Sequence, residues 1–165
     1  MLAQLRLAWW RDRLNGDPAG WPKGEPLLAR LADWGGEAQG LAALVDGWEA
    51  LLSDGPLDAE AFGAFALGRE TAAGALAAVI GADVVAAQSN ARRWALADLA
   101  LHLGDPQERA AALDLLAESA PASRVSGPLA LLRGLSERAL RRGEAEALSG
   151  PGALLAAIRL GFLGR

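Results

Sequence analysis

The sequence predicts an all-α protein, a single helical bundle of about eight helices. Three observations carry that prediction. Ala and Leu fill 69 of the 165 positions, whereas Val, Ile and Thr together fill eight. Helices draw on the first pair, and sheets on β-branched and aromatic residues. Gly and Pro then cut the chain into segments of helical length joined by short turns. Finally, no stretch is low-complexity or linker-like and no internal repeat is evident, so residues 1–165 read as one domain.

The first helix is expected over Leu2–Leu14, ended by Asn15-Gly16-Asp17-Pro18. It begins at or next to Met1 without a capping residue, and Leu2, Leu5, Leu7, Ala8, Trp9, Trp10 and Leu14 make it apolar almost all round. That pattern is typical of a helix buried on most sides. A short second helix is expected over Glu25–Trp34, closed by Gly35-Gly36, and a third from Leu41 to Leu52, closed by Asp54-Gly55-Pro56. Asp58 with Glu60 opens a long Ala-rich helix to Ile80. Gly63, Gly68 and Gly74 inside it cost about 1 kcal/mol each relative to Ala, which close packing against a neighbour would explain. A fifth helix covers Asp83–Leu103. Asp105-Pro106-Gln107-Glu108 is the best local signal, with Asp at the N-cap, Pro at N1 and Glu placed to reach back as in a capping box. That helix runs to Ser119. Ser126-Gly127-Pro128 opens another to Arg142, and Gly152–Leu163 is the last.

Charge and composition exclude several classes of function. The formal net charge is −4, from 16 basic and 20 acidic residues. That balance argues against general binding to nucleic-acid phosphates, which needs basic residues clustered on one face. The densest basic stretch, Arg133, Arg138, Arg141 and Arg142, is interrupted by Glu137 and reads as a solvated helix face. There is no cysteine and one histidine, His102, so disulfides, thiolate metal sites and a His-rich metal site are out. No uncharged run, Thr71–Ala82 included, exceeds 12 residues, against the roughly 20 that span a bilayer. With Arg6, Arg11, Asp12 and Arg13 in the first apolar stretch, no signal peptide is visible. A soluble, cytoplasmic protein is expected, at most peripheral to a membrane.

Residues suited to chemistry are few. Asp114 and Glu118 are the one i, i+4 carboxylate pair within a continuous helix; beside a buried stripe of Leu113, Leu115 and Leu116 they read as a wet face, not a metal site. Asp54 and Asp58 share the spacing, but Gly55-Pro56 breaks the helix between them, and Asp58 reads as a cap. His102 near a helix end can meet the last carbonyls. Ser89, Ser119, Ser123, Ser126, Ser136 and Ser149 lack a nucleophile-elbow setting. Six tryptophans, Trp9, Trp10, Trp21, Trp34, Trp48 and Trp94, stand beside three Phe and no Tyr. They read as packing anchors, with a wall for an apolar ligand or an exposed partner surface as the sharper alternative.

Arg6-Leu7-Ala8-Trp9-Trp10-Arg11-Asp12 resembles the "RLAWWRD" helix of the squalene/phytoene synthase family, prenyl transferases of all-α isoprenoid-synthase fold. Pro22 and Pro26-Leu27-Leu28 are similar to the Pro-rich lead-in of the family's next helix. Leu44-Val45-Asp46-Gly47-Trp48-Glu49 resembles its "LIDG" helix, and Ala73-Gly74-Ala75-Leu76 with Val79-Ile80-Gly81 its "AGxVG" helix. The likeness covers roughly the first hundred residues, and helix order alone carries it further.

Active members of that family hold Mg²⁺ and prenyl diphosphates on two aspartate-rich motifs. The first precedes the tryptophan helix, with which this sequence opens. On the second, this sequence lays Trp94 through Pro106. His102 replaces the first motif aspartate, Pro106 the last, and Leu101 the arginine; Asp105 remains and Asp98 stands where the motif has Asn. One carboxylate cannot cradle a Mg²⁺–diphosphate cluster. The resemblance therefore implies a catalytically degenerate member without catalytic residues or resident cofactor, binding a protein or a prenyl lipid, as assembly factors within the family do. Trp9, Trp10, Arg11, Trp48, Trp94, Asp98 and His102 are its expected ligand or partner surface, and homodimerisation through an exposed Trp9–Trp10 patch is the simplest form. The alternative is a prenyl transferase whose missing Asp-rich segment comes from elsewhere, with Mg²⁺ and with Arg11 and Arg92 or Arg93 on the diphosphate. A third reading is isoprenoid-chain binding without turnover.

Overall fold

The computed structural model describes residues 2–53, 55–123, 127–148 and 151–163. Among these the protein is all-helical, and the expectations placed on Met1, Asp54, Ser126 and Ser149 lie outside the described residues. The helices are α1 (Leu2–Asn15), α2 (Pro26–Leu31), α3 (Ala42–Ala50), α4 (Ala59–Val79), α5 (Val84–His102), α6 (Pro106–Glu118), α7 (Pro128–Arg142) and α8 (Pro151–Leu163). Most boundaries follow from local chemistry. Asp58 accepts from the Ala61 N–H at 2.9 Å to open α4, Asp83 from Ala86 at 2.9 Å to open α5, and Asp105 from Gln107 and Glu108 at 2.8 and 3.0 Å to open α6.

Three local expectations need correction. The second helix ends at Leu31, and the chain continues through 3₁₀ turns over Ala32–Leu41. Gly35, at φ 58°, kinks this stretch without closing it, so helical turns resume and lead straight into α3. Glu108 does not complete a capping box. Its carboxylate accepts instead from the backbone N–H of Leu57, at 2.8 Å, on the loop between α3 and α4. And α1 is an outer helix: Leu14 is its one buried residue, while Leu2 and Leu5 are 84% and 61% exposed.

Two apolar clusters hold the bundle. Phe62, Phe65 and Ala66 of α4, Ala95, Leu96, Ala97 and Ala100 of α5, and Ala112 and Leu116 of α6 form the first. Leu14, Leu28, Leu31, Ala38, Ala42 and Val45 form the second, with Trp9, Trp10, Trp21 and Trp34 packed against it. Of the expected stripe on α6, Leu116 is buried and Leu115 half-buried, but Leu113 is exposed because it faces away from α5 with Asp114.

α4 is the spine, in contact with both α3 and α5. Gly68 makes the first contact possible: a Cβ there would run into the Ala43 carbonyl of α3, and Gly47 of α3 is tight as well, its own Cβ position 3.0 Å from the Phe65 Cα. Gly74 meets the Gln88 side chain of α5, whereas Gly63 faces open space and has no such packing reason.

Candidate functional site

The long Ala-rich helix carries one cation at mid-length, Arg69, and α3 and α5 close around it. Its guanidinium carbon lies 4.5 Å from the ring centres of both Phe65 and Trp94, and 5.8 Å from that of Trp48. Trp48 in turn meets Phe65 edge-on at 5.2 Å between centroids. Phe65 and Arg69 are neighbours because they stand four residues apart on one helix. Asp98, one turn beyond Trp94, supplies a counter-charge: its carboxylate is 3.7 Å from Arg69 Nη1, close enough for ionic attraction but without a hydrogen bond. Burial pushes the Arg69 pKa below its ordinary value, and the field of Asp98 opposes that fall.

His102 closes this end of α5. Its Nδ1 lies 2.7 Å from the Asp98 carbonyl oxygen. A carbonyl only accepts, so Nδ1 carries the proton. The ring is largely exposed and stands 3.9 Å from the Asp98 carboxylate. The structure thus brings together Trp48, Trp94, Asp98 and His102 of the predicted set, and adds Phe65 and Arg69, which the sequence reading did not single out. The signal was the one cation of a long Ala-rich helix, four residues after a phenylalanine.

The other predicted residues form a separate group on the α1–α3 side. Trp9 and Trp10 meet edge-to-face at 4.9 Å, and both are half-buried against the second apolar cluster. They are packing anchors, and the exposed apolar residues of α1 are Leu2 and Leu5. Trp21 is anchored too, its Nε1–H donating to the Arg13 carbonyl at 2.6 Å. Arg11 pairs with Asp46 at 2.8 Å and with Glu49, and these two α3 carboxylates raise its pKa, Glu49 the more.

The remaining candidate diphosphate contacts are likewise engaged within the bundle. Arg92 pairs with Glu70 at 3.2 Å. Arg93 pairs with Glu137 at 2.7 Å and donates to the carbonyls of Leu116, Ser119 and Ala120. Asp105 is taken up by the α6 N-terminus and Asp98 by Arg69, while Asp114 and Glu118 point to water. Among the described residues no three His, Asp or Glu side chains gather as a metal-binding group. The side chains of residues 94–106 therefore bring together no set of oxygens of the kind a Mg²⁺ ion takes.

The basic stretch near the C-terminal end is not one solvated face. Arg133 and Arg138 are packed inward, Arg133 on Glu137 at 3.2 Å and Arg138 on Glu144 at 2.7 Å. Arg141 and Arg142 turn outward. With Arg138 they join Arg159 and Leu155 of α8 along an open groove of about 460 Å³. Leu154 and Leu155, 68% and 70% exposed, and Ile158 flank it. This edge escaped the sequence reading because Arg142 and Arg159 lie on different helices.

Comparison with protein-family models, with curated proteins and with solved structures returned no match.

Proposed function

We propose that the chain is a catalytically degenerate squalene/phytoene synthase-like module, a cytoplasmic helical scaffold that acts by binding another protein, in the first instance a second copy of itself. One observation carries this reading. The charged groups that a diphosphate-binding site would gather are paired with one another across helices: Arg11 with Asp46 and Glu49, Arg69 with Asp98, Arg92 with Glu70. Such pairs stiffen a scaffold and leave no convergent oxygens for a cation. The docking stripe on α1 is Leu2 and Leu5, exposed and one turn apart on one face.

Two measurements test it. Thermal unfolding with Mg²⁺ and farnesyl or geranylgeranyl diphosphate is expected to show no shift. A ligand at 100 times its Kd would stabilise by about 2.7 kcal/mol, so a Mg²⁺-dependent shift overturns the non-catalytic reading. Mass in solution at tens of micromolar is expected to be that of a dimer, and L5E to be monomeric; a monomeric wild type removes the self-association.

A second reading, contact with a lipid surface, is favoured by the α7–α8 edge. There Arg141, Arg142 and Arg159 stand beside exposed Leu154, Leu155 and Ile158, the pairing of cations and apolar side chains that interfacial helices use. Among the described residues no helix is long and apolar enough to cross a membrane, so this contact is peripheral. Co-sedimentation with phosphatidylglycerol vesicles, but not phosphatidylcholine vesicles, would support it, and equal recovery from both would sink it.

A further inference from the structure

The bundle holds a groove of about 230 Å³ toward the C-terminal end of α4, walled by Ala73, Leu76 and Ala77 of α4, Ala86 of α5 and Ala130 of α7. Its lining is mostly apolar, alanine and leucine above all, with two polar side chains, Asp83 at the exposed rim and Asn90 inside. Asn90 of α5 borders the groove at 3% exposure, and its Oδ1 has no hydrogen-bond partner. A buried carboxamide oxygen left unpaired is destabilising, and native proteins almost always satisfy such groups. The groove also receives the start of α7 at Gly127, where no side chain caps the helix.

From this we infer that the groove is a binding site for a small neutral alcohol, with its apolar body between α4 and α7 and its hydroxyl donating to the Asn90 Oδ1, which rotation of the carboxamide brings to the groove. Three features select that class. The alanine walls accept only an apolar body. The unpaired Oδ1 needs a donor, which an ether, ketone or carboxylate lacks. Asp83, which also lines the groove and caps α5 through the Ala86 N–H, adds a negative charge that disfavours an anion. Size sets the rest: a dry cavity of about 150 Å³ takes benzene, so 230 Å³ accommodates about nine heavy atoms. A saturated alcohol of eight carbons meets that number. Ile80, 66% exposed at the rim, leaves a way in from solvent. This site is independent of the partner-binding reading and shares none of its residues.

The test is titration calorimetry of the full chain with 1-octanol, 1-methoxyheptane and octanoate. Octanol is expected to bind about fivefold or more tighter than the ether, the worth of one net hydrogen bond, and octanoate more weakly than either. Asn90→Leu is expected to erase the preference for octanol over the ether and to raise the unfolding temperature of the free protein, since it removes the unpaired group. Ala86→Phe, which fills the groove, is expected to abolish binding of both while the helical circular-dichroism signal stays native. Equal affinity for octanol and the ether, tighter binding of octanoate, or loss of stability in Asn90→Leu would each overturn the assignment, as would no detectable binding of octanol.

Discussion

Arg69 and the outward arginines of α7–α8 are the same residue in opposite circumstances. Arg69 is enclosed by two aromatic rings at 4.5 Å and balanced by Asp98, whereas Arg141, Arg142 and Arg159 line an open groove among exposed leucines. The first arrangement ties α3, α4 and α5 together through one side chain; in the second, Arg141 stands 3.9 Å from Glu137 of its own helix, and Arg142 and Arg159 face solvent and whatever approaches. An arginine count therefore says little about binding. What decides is whether neighbouring helices supply aromatic faces and carboxylates, and in this protein they do so on the α3–α5 side but not at the last helix.

That contrast can be broken or sharpened by substitution, and the interior should respond far more than the edge. Phe62→Ala, which empties a fully buried position between α4 and α5, is expected to cost about 3–5 kcal/mol in urea unfolding. Glu137→Gln should cost about 2 kcal/mol, because it strips the partly buried Arg93 and Arg133 of the carboxylate they share. Gly68→Ala forces a Cβ onto the Ala43 carbonyl and should cost about 1–3 kcal/mol, while Gly63→Ala, with open space around it, should stabilise by about 0.5–1 kcal/mol. Opposite signs for these two glycines of one helix, measured side by side, separate close approach from helix propensity. At the edge, Arg159→Gln should change stability by no more than about 0.5 kcal/mol. A larger loss there would show that the α7–α8 cations are structural after all.

The elements with a chemical stop and start were legible in the sequence. Asp58 and Asp105 each open a helix where the sequence placed a cap, Asp83 caps the helix that the sequence began at that residue, and the Pro and Gly residues mark the turns between. The stretch after α2 was not, because Gly35 adopts a left-handed φ that propensity alone does not reveal, and a 3₁₀ run has no distinctive periodicity. The outer position of α1 was missed for a related reason. An apolar residue on every side reads as burial, but its neighbours reach Leu7, Trp9, Trp10 and Leu14 and leave Leu2 and Leu5 exposed. Within the candidate site, Trp48, Trp94, Asp98 and His102 were found from the sequence as scattered residues. Their convergence depends on Arg69 and on how α3, α4 and α5 cross, which no spacing along the chain encodes.

The bond from the Leu57 N–H to the Glu108 carboxylate joins residues 51 apart in sequence. It closes a large loop over the whole of α4 and α5, so its entropic cost is met only after those helices have paired and α6 has docked on them. Leu57 is thus a late-forming point of the folding reaction, and its amide reports on it: hydrogen exchange at Leu57 should follow the opening of α6 rather than the fraying of the nearby α4 terminus. Replacing Glu108 by Ala would speed unfolding while leaving the folding rate nearly unchanged.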